Sequence, residues 1–207
     1  MKFILVAVLV IFSGAHFHVD ARSVKLSVYY ECLCPDSVNF IKFQMYPTWL
    51  LLGKDILNLD FIPYGKATQT RTNSTWTFDC QHGQSECQGN KEQACALDYL
   101  RENATAQVQY VTCVMSARYP PWAGPQCAYV IGINYNPIEY CADGERGNEL
   151  LAAMGNRTHR FRPEITFVPT IVLNDVYTQA NQDAAMTNLL HMICQHMHDP
   201  KPAACDG

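Results

Sequence analysis

Two thiols, a hydroxyl and two carboxylates share one short stretch, Glu31-Cys32-Leu33-Cys34-Pro35-Asp36-Ser37, between an alternating apolar run and a helical one. A thiol at a strand-to-helix junction meets the partial positive charge and the free N–H groups of a helix N-terminus, which favour thiolate over thiol. The effect matters most in acid. A thiol of pKa about 8.5 is ionised in roughly 1 molecule of 3,000 at pH 5. Lowering that pKa to ~6 ionises roughly one in ten and corresponds to about 3.4 kcal/mol of preferential thiolate stabilisation. Cys34, immediately before Pro35, is the candidate nucleophile. A nearby Asp36 carboxylate would oppose its ionisation, and the Ser37 hydroxyl is placed to donate a hydrogen bond to the sulfur.

Such a cysteine needs elements that hold it. Val24 to Tyr30 places Val24, Leu26, Val28 and Tyr30 on one face and reads as a strand. The helical stretch after Cys34 carries Val38, Phe40, Ile41, Phe43 and Met45 as its apolar set, with Pro35 suited to the first turn and Pro47 expected to kink or end it. A second strand is expected at Ile56–Ile62, stopped by Pro63. From about 66 to 160 the texture changes to mostly helical patterns holding six of the ten cysteines. Helices are expected there at Lys91–Glu102, Thr105–Ala117 and Glu145–Met154, the last stopped by Gly155-Asn156, with Tyr119–Pro125 as a rigid loop. The β pattern returns at Thr170–Leu173, turns at Asn174-Asp175, continues through Val176–Thr178, and gives way to a closing helix from Asn181 to His196.

The order is β, Cys turn, α, β, a helical insertion, then Pro-β-β-α. This is the connectivity of an α/β thioredoxin-like fold with a disulfide-rich, mostly helical insertion after its second strand. In such a fold Pro169, directly before the third strand, is where a cis proline faces the reactive cysteine and leaves backbone groups free to pair with an extended substrate. An ordinary trans proline at a strand edge is the alternative, since most X-Pro bonds are trans.

The segment Cys80-Gln81-His82-Gly83-Gln84-Ser85-Glu86-Cys87-Gln88-Gly89-Asn90-Lys91-Glu92-Gln93-Ala94-Cys95 matches all eight fixed positions of the pattern CQHG-x2-EC-x2-N-x4-C. On this motif, on Tyr29-Tyr30 to Cys34, on Phe40, on Pro47-Thr48-Trp49 and on Val168-Pro169, the chain resembles the gamma-interferon-inducible lysosomal thiol reductase family, and its invertebrate members most. The resemblance spans essentially all of the mature chain. It implies a soluble, glycosylated, disulfide-reducing enzyme of lysosomes or secretions with links to host defence and innate immunity. The chain departs from the Cys-x-x-Cys of the mammalian members, because Ser37 stands at the second cysteine. A second thiol normally releases the mixed disulfide formed by the first. Here a small thiol such as cysteine or glutathione, the substrate's own thiol, or Cys32 would have to do so, and a Cys-x-Cys bridge would be strained and strongly oxidising.

Cys80, Cys87, Cys95, Cys113, Cys127, Cys141, Cys194 and Cys205 are expected to form structural disulfides, each contributing about 2–4 kcal/mol. Eight cysteines allow 105 pairings, and none is assigned. A zinc site on Cys80, His82, Cys87 and Cys95 is the sharper alternative, against a lumenal compartment that oxidises thiols. His82 reads otherwise as a loop-packing or N-cap residue, and His191, His196 and His198 as an exposed helix end.

Compartment follows from the first residues. Lys2 and an apolar run from Phe3 to Phe12 form a signal-peptide pattern, with cleavage after Ala15 or Ala21, and the run falls short of the ~20 residues of a spanning helix. We therefore expect a signal peptide over residues 1–21, one domain over 22–207, and no membrane span. Sequons at Asn73, Asn103 and Asn156 fit the secretory pathway, with lysosomal or extracellular delivery. A charged content of 16% against 48% hydrophobic excludes wholesale disorder, and a net charge of -4 without a basic run argues against a nucleic-acid partner. Cleavage after Ala21 removes Lys2 and Asp20 and leaves the charge at -4, and protonating the five remaining histidines would carry it to +1. The leading expectation is a thiol–disulfide oxidoreductase acting on disulfide-bonded proteins, with no bound cofactor and with a small-molecule thiol as reductant. The alternatives are a non-catalytic secreted thioredoxin-like binding protein, a monothiol disulfide isomerase, and a purely structural glycoprotein.

Overall fold

The computed structural model describes residues 23–206, so the expected signal peptide lies outside the described residues. Strand β1 (Val24–Tyr30) is the centre of a three-stranded sheet of order β2-β1-β5, parallel to β2 (Leu57–Pro63) and antiparallel to β5 (Thr170–Leu173). Val28 lies opposite Phe61 on one side and Ile171 on the other. β1 is buried on both faces. Leu26, Val28 and Tyr30 enter the main core, while Tyr29 joins Ile62 and Val172 in a smaller cluster. A central strand covered on both sides has little need for polar residues, and VKLSVYY is apolar at all positions but Lys25 and Ser27, the latter donating to Asp60 Oδ2 at 2.9 Å.

Parallel neighbours require a crossover, and the segment after the Cys turn supplies it. Helix α1 (Pro35–Phe40) passes through a π-helical turn (Ile41–Met45) into α2 (Tyr46–Leu52). Pro47 does not end the helix. It lies in the first turn of α2, directly after the widened π-turn, where a missing N–H costs least, and the run stops instead at Gly53 with φ 76°.

The insertion differs from expectation in several places. It opens on an antiparallel hairpin, β3 (Thr68–Thr72) and β4 (Thr75–Asp79), turned by Asn73 and Ser74 at φ 46° and 70°. β3 is polar and mostly exposed, whereas β4 alternates, with Trp76 and Phe78 half-buried on one face. Helix α3 (Gln84–Tyr99) starts seven residues before Lys91, because its first turns bury polar side chains rather than an apolar stripe. Helix α4 (Ala104–Ser116) follows expectation, capped by Asn103, whose side chain accepts from the Ala106 N–H at 3.0 Å. The supposed rigid loop contains a 3-10 turn at Pro120–Trp122 and leads into two further helices, α5 (Gly124–Ile131) and α6 (Asn136–Asp143). Helix α7 (Glu145–Arg160) runs straight through Gly155-Asn156. Gly155 is there for close approach, since a Cβ would lie 2.5 Å from Tyr64 Cε2 and collide with Gln69.

After β5 the expected turn at Asn174-Asp175 forms, with left-handed φ values of 49° and 63°, but Val176 makes only a single bridge to Leu173 and the strand expected over Val176–Thr178 does not form. Helix α8 (Gln179–Gln195) closes the fold, with a break at Asn188. The eight cysteines outside the turn pair as Cys80–Cys87, Cys95–Cys141, Cys113–Cys127 and Cys194–Cys205. This removes the thiolates that a zinc site on Cys80, Cys87 and Cys95 would need. Among the described residues no helix is long and apolar enough to cross a membrane.

Candidate active site

Cys34 is the N-cap of α1, with φ -70° and ψ 120°, and its carbonyl accepts the first helical bond from the Val38 N–H at 3.0 Å. Its side chain is free of any disulfide and only 8% exposed, and the thiol donates to the Val168 carbonyl oxygen at 3.6 Å. The Val168-Pro169 peptide is cis, and the loop before β5 lies against the Cys34 sulfur. Gln182 of α8 fixes that loop: it donates to the Pro169 carbonyl at 3.0 Å and accepts from the Ile171 N–H at 2.8 Å. Nothing in the sequence singled out Gln182, although a glutamine on the buried face of an amphipathic helix is a signal that could have.

Ser37 is fully buried, and its hydroxyl accepts from the Glu31 N–H at 3.5 Å rather than donating to Cys34. Asp36 is exposed. Cys32 points the other way, into α3. Its thiol donates to the Glu86 carbonyl at 3.5 Å and would lie 2.7 Å from a Cβ at Gly89. It is fully buried, and burial, reinforced by the Glu86, Glu92 and Glu31 carboxylates, pushes its pKa well above the ordinary thiol range.

Helix α3 holds the turn from behind. The Cys32 N–H donates to Asn90 Oδ1 at 2.9 Å and the Leu33 N–H to Glu86 Oε2 at 3.3 Å, while the Cys34 N–H donates to the Glu31 carbonyl at 3.3 Å. The Cys34 amide is thus satisfied within the turn, while those of Cys32 and Leu33 depend on α3. Glu31 accepts from the Lys66 N–H at 2.6 Å, and burial, with Glu86 adding to it, raises its pKa. His82 bonds Glu86 Oε2 through Nδ1 at 2.6 Å, lies 3.7 Å from Glu31 Oε2, and donates its backbone N–H to Glu86 Oε1 at 3.1 Å. It is thus a partner of two carboxylates, and Gly83 takes the N-cap of α3. His191, His196 and His198 are all exposed; His191 bonds Gln195 and His196 bonds Asn181.

Residues 25–130 match the family model described as "Gamma interferon inducible lysosomal thiol reductase (GILT)". The chain belongs to the GILT family. It is 37% identical over 201 residues to GILT-like protein 1 of Drosophila melanogaster, an alignment covering 90% of this chain and 80% of that one. It is 32% identical over 190 residues to the gamma-interferon-inducible lysosomal thiol reductase of Mus musculus, covering 89% and 72%. Among solved structures it resembles DsbA of Chlamydia trachomatis with a TM-score of 0.54 and 16% identity, covering 82% of this chain and 87% of that one, which is a likeness of thioredoxin-like fold. Within this GILT chain, Cys80 and Cys87 of the motif form one disulfide and Cys95 half of another, while Glu86 and Asn90 face the Cys turn. The three sequon asparagines are all exposed, Asn73 on the hairpin turn, Asn103 at the cap of α4 and Asn156 on α7.

Proposed function

We propose that this chain is a thiol–disulfide oxidoreductase that reduces disulfides of protein substrates at acidic pH, with Cys34 as its nucleophile and a small-molecule thiol as reductant. The observation that carries the reading is the Cys34 sulfur, at the N-terminus of α1, lying 3.6 Å from the Val168 carbonyl beside cis Pro169. In the first step the Cys34 thiolate attacks a substrate sulfur, forming a mixed disulfide and expelling the other substrate sulfur as thiolate. One small thiol then attacks the Cys34 sulfur and releases the second substrate thiol. A second small thiol frees Cys34 as the small-molecule disulfide. The net change is one substrate disulfide reduced and two small thiols oxidised.

Cys32 is a poor resolving group in this arrangement, because its sulfur is buried against α3 with its thiol form favoured. A recess of about 320 Å³ formed by Phe161, Ile165, Phe167, Thr170 and Tyr177 flanks the proline loop and suits an apolar side chain of an extended substrate. Exposed sequons, four disulfides and a charge that moves from negative toward positive as histidines protonate support delivery through the secretory pathway to a lysosome or the exterior. The family's name and the resemblance to its invertebrate members support a place in host defence.

The test is reduction of a disulfide-bonded protein at about pH 5 with cysteine present, comparing the wild type with Cys34→Ala. Loss of the reaction in the variant is expected, and equal rates would remove Cys34 from the mechanism. The buried Ser37 and the averted Cys32 favour a second reading, in which the substrate's own thiol resolves the adduct and the enzyme isomerises disulfides. Recovery of activity on a scrambled substrate without added thiol would select it. Covalent adducts that persist in excess thiol would instead select a binding protein.

A further inference from the structure

We propose that Glu31, His82 and Glu86 form a binding site for one divalent transition-metal ion of the zinc class, on the face of the reactive turn opposite Cys34's proline loop. One oxygen from each carboxylate and one imidazole nitrogen all lie within 4.8 Å of one another. The site is built rather than superficial. The Glu31 and Glu86 side chains are 1% and 0% exposed, and the imidazole, at 41%, opens the cluster to solvent. Glu31 Oε2 is buried in this cluster without a hydrogen-bond partner, 3.7 Å from His82 Nδ1. The room for that carboxylate is made by Gly65, at φ 61°, where any Cβ would collide with the Glu31 side chain.

Charge points the same way. Two carboxylates enclosed side by side with a single imidazole leave the group short of positive charge, and burying unpaired charge is costly. A divalent cation supplies what the imidazole alone cannot. Two carboxylates and one histidine with an open fourth position is a ligand set suited to zinc and its neighbours, whereas calcium takes six to eight oxygens and magnesium an octahedron. Metal–ligand bonds of about 2.0–2.1 Å at tetrahedral angles separate neighbouring ligand atoms by about 3.3 Å. The 3.7 Å pair is close to that spacing, and the 2.6 Å His82–Glu86 pair would open by less than an ångström as the ion replaces the shared proton. His82 lies just before α3 and is free on its solvent side to make that movement.

Zinc itself is the probe, titrated calorimetrically into the mature chain carrying Cys34→Ser, with cobalt as its spectroscopic substitute. Uptake of one ion per chain is expected, with cobalt giving visible ligand-field bands and no thiolate charge-transfer band. Glu31→Gln and His82→Ala should each weaken binding by at least about 10-fold, the loss that even an outer-shell partner produces, while His198→Ala leaves it unchanged. Circular dichroism of each metal-free variant establishes its fold, and the half-exposed His82 keeps the test decisive if Glu31→Gln does not fold. Absence of stoichiometric uptake, unchanged affinity in a folded His82→Ala chain, or a thiolate band that disappears with Cys32→Ser would each overturn the site.

Discussion

Truncating Asn90 to alanine would strand the Cys32 N–H, which is enclosed by α3 and donates to Asn90 Oδ1 at 2.9 Å. A buried donor left without its acceptor costs about 1–3 kcal/mol. Part of that cost is offset, because Asn90 Nδ2 is itself buried without a partner and disappears with the side chain. The expected net loss is therefore in the lower half of the range, about 1–2 kcal/mol. At roughly 2–4 °C per kcal/mol for a chain of this size, the melting temperature should fall by about 2–8 °C. The same anchor sits two residues before Cys34, whose sulfur must stay against Val168. Reductase kcat/KM, measured well below the melting temperature, should drop by roughly 5–10-fold, equivalent to about 1–1.4 kcal/mol of lost positioning. The checks are a thermal melt and steady-state reduction of a disulfide-bonded protein, made on one preparation. A melting temperature within about 1 °C of wild type, together with an unchanged rate, would show that the turn orders itself and that α3 is not its clamp.

Three other outcomes rest on the same geometry. Ser37→Cys places a second thiol one helical turn after Cys34, so single-turnover release of the substrate adduct should become independent of added small thiol; quenched mass spectra of the adduct decide it. Burial pushes the Glu92 pKa up despite hydrogen bonds from Tyr135 and Tyr110. A raised folded-state pKa contributes stability that is full below the unfolded value and is lost as pH rises through the folded one. Urea midpoints should therefore fall from about pH 5 to about pH 7.5, and Glu92→Gln should flatten that slope. Replacing both Cys95 and Cys141 by alanine opens a 46-residue separation and should cost about 4 kcal/mol by loop entropy. The same change at Cys80 and Cys87, seven apart, should cost about 2.4 kcal/mol, and denaturant titration ranks the two.

The thioredoxin-like half of the molecule was readable because its elements obey simple periods. β1 alternates, Cys34-Pro35 marks a helix start, and Val168-Pro169 precedes a short buried strand. The insertion was read less well for a physical reason that differs from one element to the next. In hairpin β3–β4 the first strand is polar on both faces, and the alternation of the second, Trp76 and Phe78 on one half-buried face, is only two apolar residues long and has no apolar counterpart in its partner. In α7, Gly155 has the local look of a helix stop, but tertiary contact with Tyr64 and Gln69 requires a residue without a Cβ. The beginning of α3 was missed because helical periodicity is sought in apolar residues, and there Glu86, Asn90 and Gln93 are fully buried.

Those buried polar residues also explain why the motif and the Cys turn belong together. The Cys turn does not satisfy all its own amides, and the Cys32 and Leu33 N–H groups donate to α3 instead. An apolar helix there would leave both donors unpaired in the interior, at about 1–3 kcal/mol each. Helix α3 instead offers an asparagine and a glutamate one turn apart, and Gly89 between them admits the Cys32 sulfur. The Cys80–Cys87 bridge fixes the start of that helix, and the Cys95–Cys141 bridge ties its later turns to α6. A linear motif lying some fifty residues after Cys34 thus forms the rear wall of the candidate site. Its oxidised cysteines set the position of the helix, and its polar residues set the conformation of the turn that carries Cys34.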